Sequence, residues 1–393
     1  MKHPRPAPTV GADPDRLLRI AMVGTRGVPA RYGGFETAIE EVGRRLVDRG
    51  HQVVVYCRTA GTSTTPPAGR YLGMELVHRP ALRSRSLETL SHTALSVGHL
   101  LQNRTDVAVV FNAANAPFLP LFRAARIPVA THVDGLEWKR AKWGPMGRRY
   151  YRTAEWLAVK QSDALIADAI GIADYYRERF DVGTDIISYG APKTAGISSS
   201  RLSELGLTAN DYHLVVARFE PENHVDMIVQ GFVQSGSRLP LIVVGSAPYS
   251  DEYTRRVHAA ADDRIRFLGG VWDQELLDQL YAHARIYWHG HSVGGTNPSL
   301  LRAIGAGTAT NAYDVNFNRE VLGSAGRYFG TAADVAARVE NDESADLNLV
   351  ARRAAARSRA AAYDWDDVTD RYEDLARRLA RGSRKYDETK VRS

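Results

Sequence analysis

The chain has a single cysteine among 393 residues, Cys57, so it can close no internal disulfide and cannot alone build a zinc-thiolate site. A reducing, cytoplasmic setting is expected. No stretch approaches the roughly 18 uninterrupted apolar residues of a membrane-spanning helix. The N-terminal MKHPRPAPTVGADPDR is polar, without the apolar core of a secretion signal. Neither spanning nor signalled export is expected. Charge is nearly balanced, 51 Lys and Arg against 45 Asp and Glu. The excess suits phosphates or acidic lipids, but no nucleic-acid-binding signature accompanies it, so no nucleic-acid partner is expected. None of the 12 histidines stands in H-E-x-x-H or comparable spacing, and His289 and His291, if extended, are read as facing opposite sides. No metal site is expected.

Apolar material is ample: 44% of residues are hydrophobic, and at about 100–200 residues per domain the length suits two domains. Val- and Ile-rich runs at 17–24, 51–57, 106–111, 127–133, 163–168 and 185–190 alternate with helical periodicity. A second series stands at 212–218, 239–245, 264–270, 285–290 and 307–313. Continuous runs of this kind are strands buried on both faces. They predict an α/β fold of two doubly wound parallel-sheet domains. The expected division is a loose tail at 1–16, a first domain at 17–190, a Pro-, Gly- and Ser-rich linker at 191–210, a second domain at 211–335, helices at 336–381 and a tail at 382–393.

In open parallel sheets, ligands bind beyond the carboxyl ends of the strands. The first run leads into GTRGVPARYGGFET (24–37), where Gly24, Gly27, Gly33 and Gly34 stand with Arg26 and Arg31 before a helix near Phe35. Glycines admit a ligand to the backbone and helix starts offer free N–H groups, so a phosphate or sugar hydroxyl is the expected guest. The spacing is not G-x-G-x-x-G, and the second strand ends in Tyr56, Cys57 and Arg58 with no acid for a ribose, which disfavours NAD. No cofactor is expected. A second loop places Gly294, Gly295 and Thr296 before Asn297 and Pro298, an N-cap followed by proline at the first helical position, and so forms another anion site. Arg218 ends a strand as either a diphosphate ligand or the partner of Glu220 or Glu222. His132 and Asp134 reach the same edge of the first sheet, to hold sugar hydroxyls or move a proton, unless Asp134 merely caps the next turn. The DWD at 364–366 reads as a helix cap with first-turn acids rather than a metal signature.

The segments GTRGVPARYGGFET (24–37), VDGLEWKRAKWG (133–144), ARFEPEN (217–223), HGHSVGGTNPSLL (289–301) and FNREVLG (317–323) resemble the bacterial rhamnosyltransferase-like branch of the retaining family 4 glycosyltransferases, in order from about residue 18 to 380. The resemblance implies a GT-B architecture: two facing Rossmann-like domains, with the last helix crossing back to the first. It implies a nucleotide diphosphate sugar donor held chiefly by the second domain, a glycan or lipid-linked acceptor held chiefly by the first, retention, and no essential metal. Carried over by residue, it puts Gly294, Gly295, Thr296 and Asn297 at the donor, Arg218 on its diphosphate, and Gly33 and Gly34 approaching from the other domain. Asp134, or His132 if the alignment slips, falls at the sugar, and His291 and Ser292 lie within the donor motif as substrate-binding candidates.

Two positions depart from the family pattern. Asn223 stands where many members carry lysine, and Arg302 stands where the helix usually reads SLLEA, with a glutamate for the ribose. A guanidinium has no acceptor for ribose hydroxyls, a loss of about 1–3 kcal/mol in donor binding. Both residues are nevertheless candidates for the donor site. The expected function is transfer of a hexose, rhamnose favoured. The alternative is a catalytically degenerate binding or scaffold protein, and a sugar-nucleotide epimerase shares the architecture without sequence support. The stretch at 138–156 mixes Lys139, Arg140, Lys142, Arg148, Arg149 and Arg152 with Trp138, Trp143, Tyr150, Tyr151 and Trp156. It is expected to touch an anionic membrane surface, against the reading that its aromatics pack in the core and its cations meet acceptor phosphates or solvent.

Overall fold

The computed structural model describes residues 16–30, 33–59, 69–82, 88–133, 135–140, 143–245, 251–344 and 346–382. The first sheet contains β1 (Arg19–Val23), β2 (Gln52–Arg58), β3 (Arg70–Tyr71), β4 (Met74–Arg79), β5 (Val107–Phe111), β6 (Val129–His132), β7 (Ala164–Ala167) and β8 (Asp185–Ile186), in the spatial order β3-β4-β2-β1-β5-β6-β7-β8. The second contains β9 (His213–Val216), β10 (Leu241–Val244), β11 (Ile265–Gly269), β12 (Ile286–His289), β13 (Thr310–Tyr313) and β14 (Arg327–Phe329), in the order β11-β10-β9-β12-β13-β14. Every pairing is parallel except that of β3 with β4.

Helices α1 (Gly34–Asp48), α2 (Glu88–Gln102), α3 (Leu119–Ala124), α4 (Pro145–Gln161) and α5 (Ile170–Phe180) accompany the first sheet. With the second come α6 (Val225–Gln234), α7 (Asp251–Ala259), α8 (Gln274–His283), α9 (Pro298–Gly305), α10 (Asn316–Leu322), α11 (Ala332–Ser344), α12 (Asp346–Ala360) and α13 (Trp365–Ala380).

All eleven predicted strands are present, because runs such as VAVVF in β5 and LIVV in β10 are buried at every position. Three strands were not anticipated. β3 and β4 form a tight hairpin through Leu72 and Gly73, both with positive φ, and β14 is only three residues long. The edge strands β3 and β14 carry too few apolar residues to stand out from loops, and in β4 the sequence MELVHR breaks its apolar run with charged and polar residues. Each sheet begins in its middle: β1 lies between β2 and β5, and β9 between β10 and β12. The chain winds outward on one side and returns on the other, so a crevice opens beyond the carboxyl ends of each central pair.

The closing helix α13 does cross back. It buries Trp365, Val368, Tyr372, Leu375 and Leu379 in the same core as Ile39, Val42 and Leu46 of α1. Asp364 caps it, accepting from the Asp366 N–H at 2.7 Å, which bears out the cap reading of DWD. Asp366 takes Arg45 at 2.7 Å, and Arg49 reaches Asp370 at 2.6 Å and Glu373 at 2.8 Å. The stretch expected as a linker is packed: the Ala191 N–H donates to the Tyr363 carbonyl, and Leu202 is buried.

Burial opposes ionisation of Glu373, but hydrogen bonds from Arg49, Arg377 and His51 outweigh it and hold the carboxyl at about 2. A depressed carboxyl pKa stabilises the fold above the unfolded value near 4.3 and loses that contribution as pH falls towards 2. Glu373→Gln should therefore cost about 1 kcal/mol at neutral pH, allowing for screening. In urea unfolding measured from pH 7 to pH 2, parent and variant should converge at the acid end.

Candidate active site

Asn297 caps α9, its side chain accepting from the Ser299 N–H at 2.9 Å and the Ser299 hydroxyl at 2.8 Å, with Pro298 at the first helical position. The loop before it carries Gly294 at φ +141°, a conformation L side chains rarely adopt. Among the described residues, the N–H groups of Gly294, Gly295 and Thr296 have no acceptor in the protein. Three free donors at a helix N-terminus are the arrangement that attracts an anion. Across the cleft, α1 starts at Gly34, where an added Cβ would stand 3.1 Å from the Pro298 ring. Two helix N-termini thus converge on one place.

Arg218 opens into the cleft beyond β9, and among the described residues no hydrogen bond or ion pair holds its guanidinium. Desolvation, then Arg140, lower its pKa, opposed by Glu220, Glu137 and Glu222. The salt bridge weighed for it with Glu220 or Glu222 does not form. Glu222 instead faces Arg140 from the first domain at 3.9 Å.

The residues around Arg218 brace one another. Asn223 is buried, its Nδ2 donating to the Arg218 carbonyl at 2.8 Å and its Oδ1 accepting from His291 Nδ1 at 2.7 Å, so both ends of the amide are engaged. Ser292 donates its hydroxyl to the Glu222 carbonyl at 3.0 Å, and the Thr296 hydroxyl donates across the cleft to the Asp168 carbonyl at 2.6 Å. These hydrogen bonds hold the loops in place. Because Nδ1 carries the proton to Asn223, His291 presents an acceptor Nε2 towards Gly294. Burial holds His291 neutral, reinforced by His289, Arg140, Arg218 and His224. The reading of His289 and His291 as facing opposite sides is corrected: their rings lie 6.0 Å apart, since residues two apart in an extended segment share a side.

In the first domain, His132 is fully buried at the end of β6, stacked between Phe111 and Tyr189 with Phe35 at its edge. Burial pushes its pKa down to about 3. Fully enclosed by these rings, it is held as the neutral imidazole. Asp134 lies outside the described residues, as do Arg31 and Lys142. Gly24 and Gly27 are closely packed, since a Cβ at either would strike Phe111 and Asn115 or Cys57; of the other two loop glycines, Gly34 lies against Pro298, while a Cβ on Gly33 would meet Glu36 of its own helix.

Three residues escaped sequence reasoning. Arg140, counted with the surface cations, is 9% exposed and paired with Glu137 at 2.5 Å. Asp168, at the end of β7, lies so close to Gly295 that a Cβ there would collide with its carboxylate. Glu320 of α10 accepts from the Ile170 N–H at 2.9 Å and from Gly171, holding the start of α5 from the other domain.

Residues 33–189 match the glycosyl transferase 4-like domain family, and residues 205–343 match the glycosyl transferases group 1 family. The chain belongs to the family 4-like GT-B glycosyltransferases. The fold agrees: sucrose-phosphate synthase from Thermosynechococcus elongatus has a TM-score of 0.77 at 17% identity, covering 93% of this chain and 99% of that one. Anabaena HepE in complex with UDP-glucose gives 0.73 at 17% identity, covering 92% and 100%. The UDP-N-acetylglucosamine–peptide N-acetylglucosaminyltransferase GtfA subunit of Streptococcus gordonii is 29% identical over 116 residues, 28% of this chain and only 22% of that relative's length.

Within this glycosyltransferase, Arg302 lies on α9 but turns to α8, with Nε 2.7 Å from Asp278 and a terminal nitrogen 2.9 Å from Gln274. Two of the three guanidinium nitrogens of this donor-site candidate are thereby committed to α8. No helix among the described residues is long and apolar enough to cross a membrane. Gly295→Ala should force its methyl into Asp168 and cost about 1–3 kcal/mol. Adding Asp168→Ala should recover part of that loss, read as a positive coupling in a double-mutant cycle of thermal unfolding.

Proposed function

We propose that this glycosyltransferase moves a hexose from a nucleotide diphosphate sugar to a glycan or lipid-linked glycan with retention, rhamnose being the sugar its sequence motifs favour. The carrying observation is the convergence of the α1 and α9 N-termini at Gly34 and Pro298, beside the unpaired Arg218. The donor's diphosphate would lie against the N–H groups of Gly294, Gly295 and Thr296 with Arg218 on its flank. These groups stabilise the negative charge that grows on the leaving diphosphate. As the bond from the anomeric carbon to the phosphate oxygen breaks, the acceptor hydroxyl forms the new bond on the same face, and its proton passes to the departing phosphate. No protein nucleophile is required. UDP and UDP-glucose occupy HepE, and UDP-N-acetylglucosamine is named in the S. gordonii relative's activity, which supports a nucleotide-sugar donor here.

A second reading, a degenerate binding protein, is favoured by Arg302, which leaves α9 no carboxylate at the expected ribose contact. Sugar release from a panel of nucleotide sugars, measured by chromatography, separates the two. Arg218→Ala should weaken UDP binding by about 1.5–3 kcal/mol in calorimetry; an unchanged affinity contradicts the diphosphate assignment. Transfer should persist in EDTA, since the leaving charge is met by the guanidinium and backbone donors. Loss of activity that magnesium or manganese restores would overturn metal independence.

A further inference from the structure

A groove of about 1090 Å³ runs along α4, lined by Trp138, Lys139, Arg148, Arg149, Arg152 and Trp156 and bordered by Val293, the residue before Gly294 of the donor loop. Arg148 and Arg152 are about one helical turn apart and Arg149 and Trp156 about two, so α4 turns one cationic face to the groove. Among the described residues none of the four cations is in an ion pair, whereas Arg44, Arg49, Arg201 and Arg264 elsewhere each hold a carboxylate. Arg152 lies over the Trp138 ring at 4.3 Å, which fixes its guanidinium at the groove wall. Trp156 is 50% exposed and offers an apolar face. The single acid on α4, Glu155, points inward: burial raises its pKa to about 7, and Tyr175 donates to it at 3.0 Å. Three other residues of the segment read as a membrane patch turn inward: Arg140 is buried, the Tyr150 hydroxyl donates to the Ala114 carbonyl, and Trp143 donates to Glu137.

We propose that this groove is the acceptor subsite for a phosphate-bearing saccharide, its phosphate on Arg148, Arg149 and Arg152 and its sugar against Trp156. Unpaired guanidiniums in a concave wall are electrostatically prepared for a phosphate, and an aromatic face suits the apolar side of a pyranose. Val293 at the border brings such an acceptor to the edge of the donor loop. The proposal deepens the glycosyltransferase reading and rests on it. The phosphate could come from a soluble sugar phosphate or from the diphosphate of a polyprenyl-linked sugar.

The test is calorimetric titration of inorganic pyrophosphate into protein saturated with UDP, which keeps the donor site filled. Binding should weaken at least about tenfold in Arg148→Gln/Arg149→Gln/Arg152→Gln and measurably in the single variant Arg149→Glu, with UDP affinity unchanged in both. Pyrophosphate affinity that is equal in parent and variants overturns the proposal. Failure of UDP to bind the parent defeats the donor reading instead, and the parent-against-variant comparison with pyrophosphate alone still reports on the groove. Phosphatidylcholine vesicles carrying polyprenyl diphosphate identify the source. Retention on them, lost in the triple variant, supports a lipid-linked acceptor, and pyrophosphate binding without retention supports a soluble one. Retention on phosphatidylglycerol vesicles with no pyrophosphate binding overturns the proposal in favour of a general membrane surface.

Discussion

The two halves of the molecule meet where neither has side chains to spare. Gly135 lies against the Gly294 backbone, Gly295 against the Asp168 carboxylate, and Gly34 against Pro298, so at each point a single methyl would crowd the joint. This close approach aims α1 and α9 at one spot, each bringing the equivalent of about half a positive charge. It also sets Arg218 and Arg140 close enough for like charge to depress the Arg218 pKa. Donors and positive ends held together repel one another until something negative lies among them. The anion-seeking character of the cleft is therefore a result of how the backbone is packed.

The contacts between the halves are of two kinds. Along one edge α13 lays an apolar stripe on α1, and burying an aromatic such as Trp365 is worth about 3–5 kcal/mol by truncation. Around the cleft the contacts are polar: Thr296 to Asp168, Glu320 to the start of α5, and Arg140 to Glu222. Each contributes about 1 kcal/mol net and can be exchanged for water. The seam at α13 is thus durable, and the seam at the cleft is exchangeable.

The fold was legible because strands buried on both faces leave continuous apolar runs, and the helix cap at Asn297 was legible because capping is local chemistry. Roles that depend on partners far along the chain were not. Asn223 and His291, 68 residues apart, brace one another, and Thr296 and Asp168, 128 residues apart, join the domains. Nothing in either segment's spacing announces the other. Gly24 and Gly27 misled for the same reason: a glycine that admits a ligand and one that admits Cys57 or Phe111 look alike in sequence. The cationic stretch around α4 was visible as composition, but burial of Arg140 depends on its carboxylate partners Glu137 and Glu222, and the exposure of Arg148, Arg149 and Arg152 on which face α4 turns to the core.

The crossing of α13 also bears on how the chain is made. The surface it covers on α1 belongs to residues that leave the ribosome early, while α13 itself ends at Ala380. At roughly 5–20 residues per second, about ten to forty seconds separate completion of the first sheet from arrival of its cover. For that interval the nascent first half carries a bare apolar stripe at Ile39, Val42 and Leu46, the kind of surface that chaperones hold.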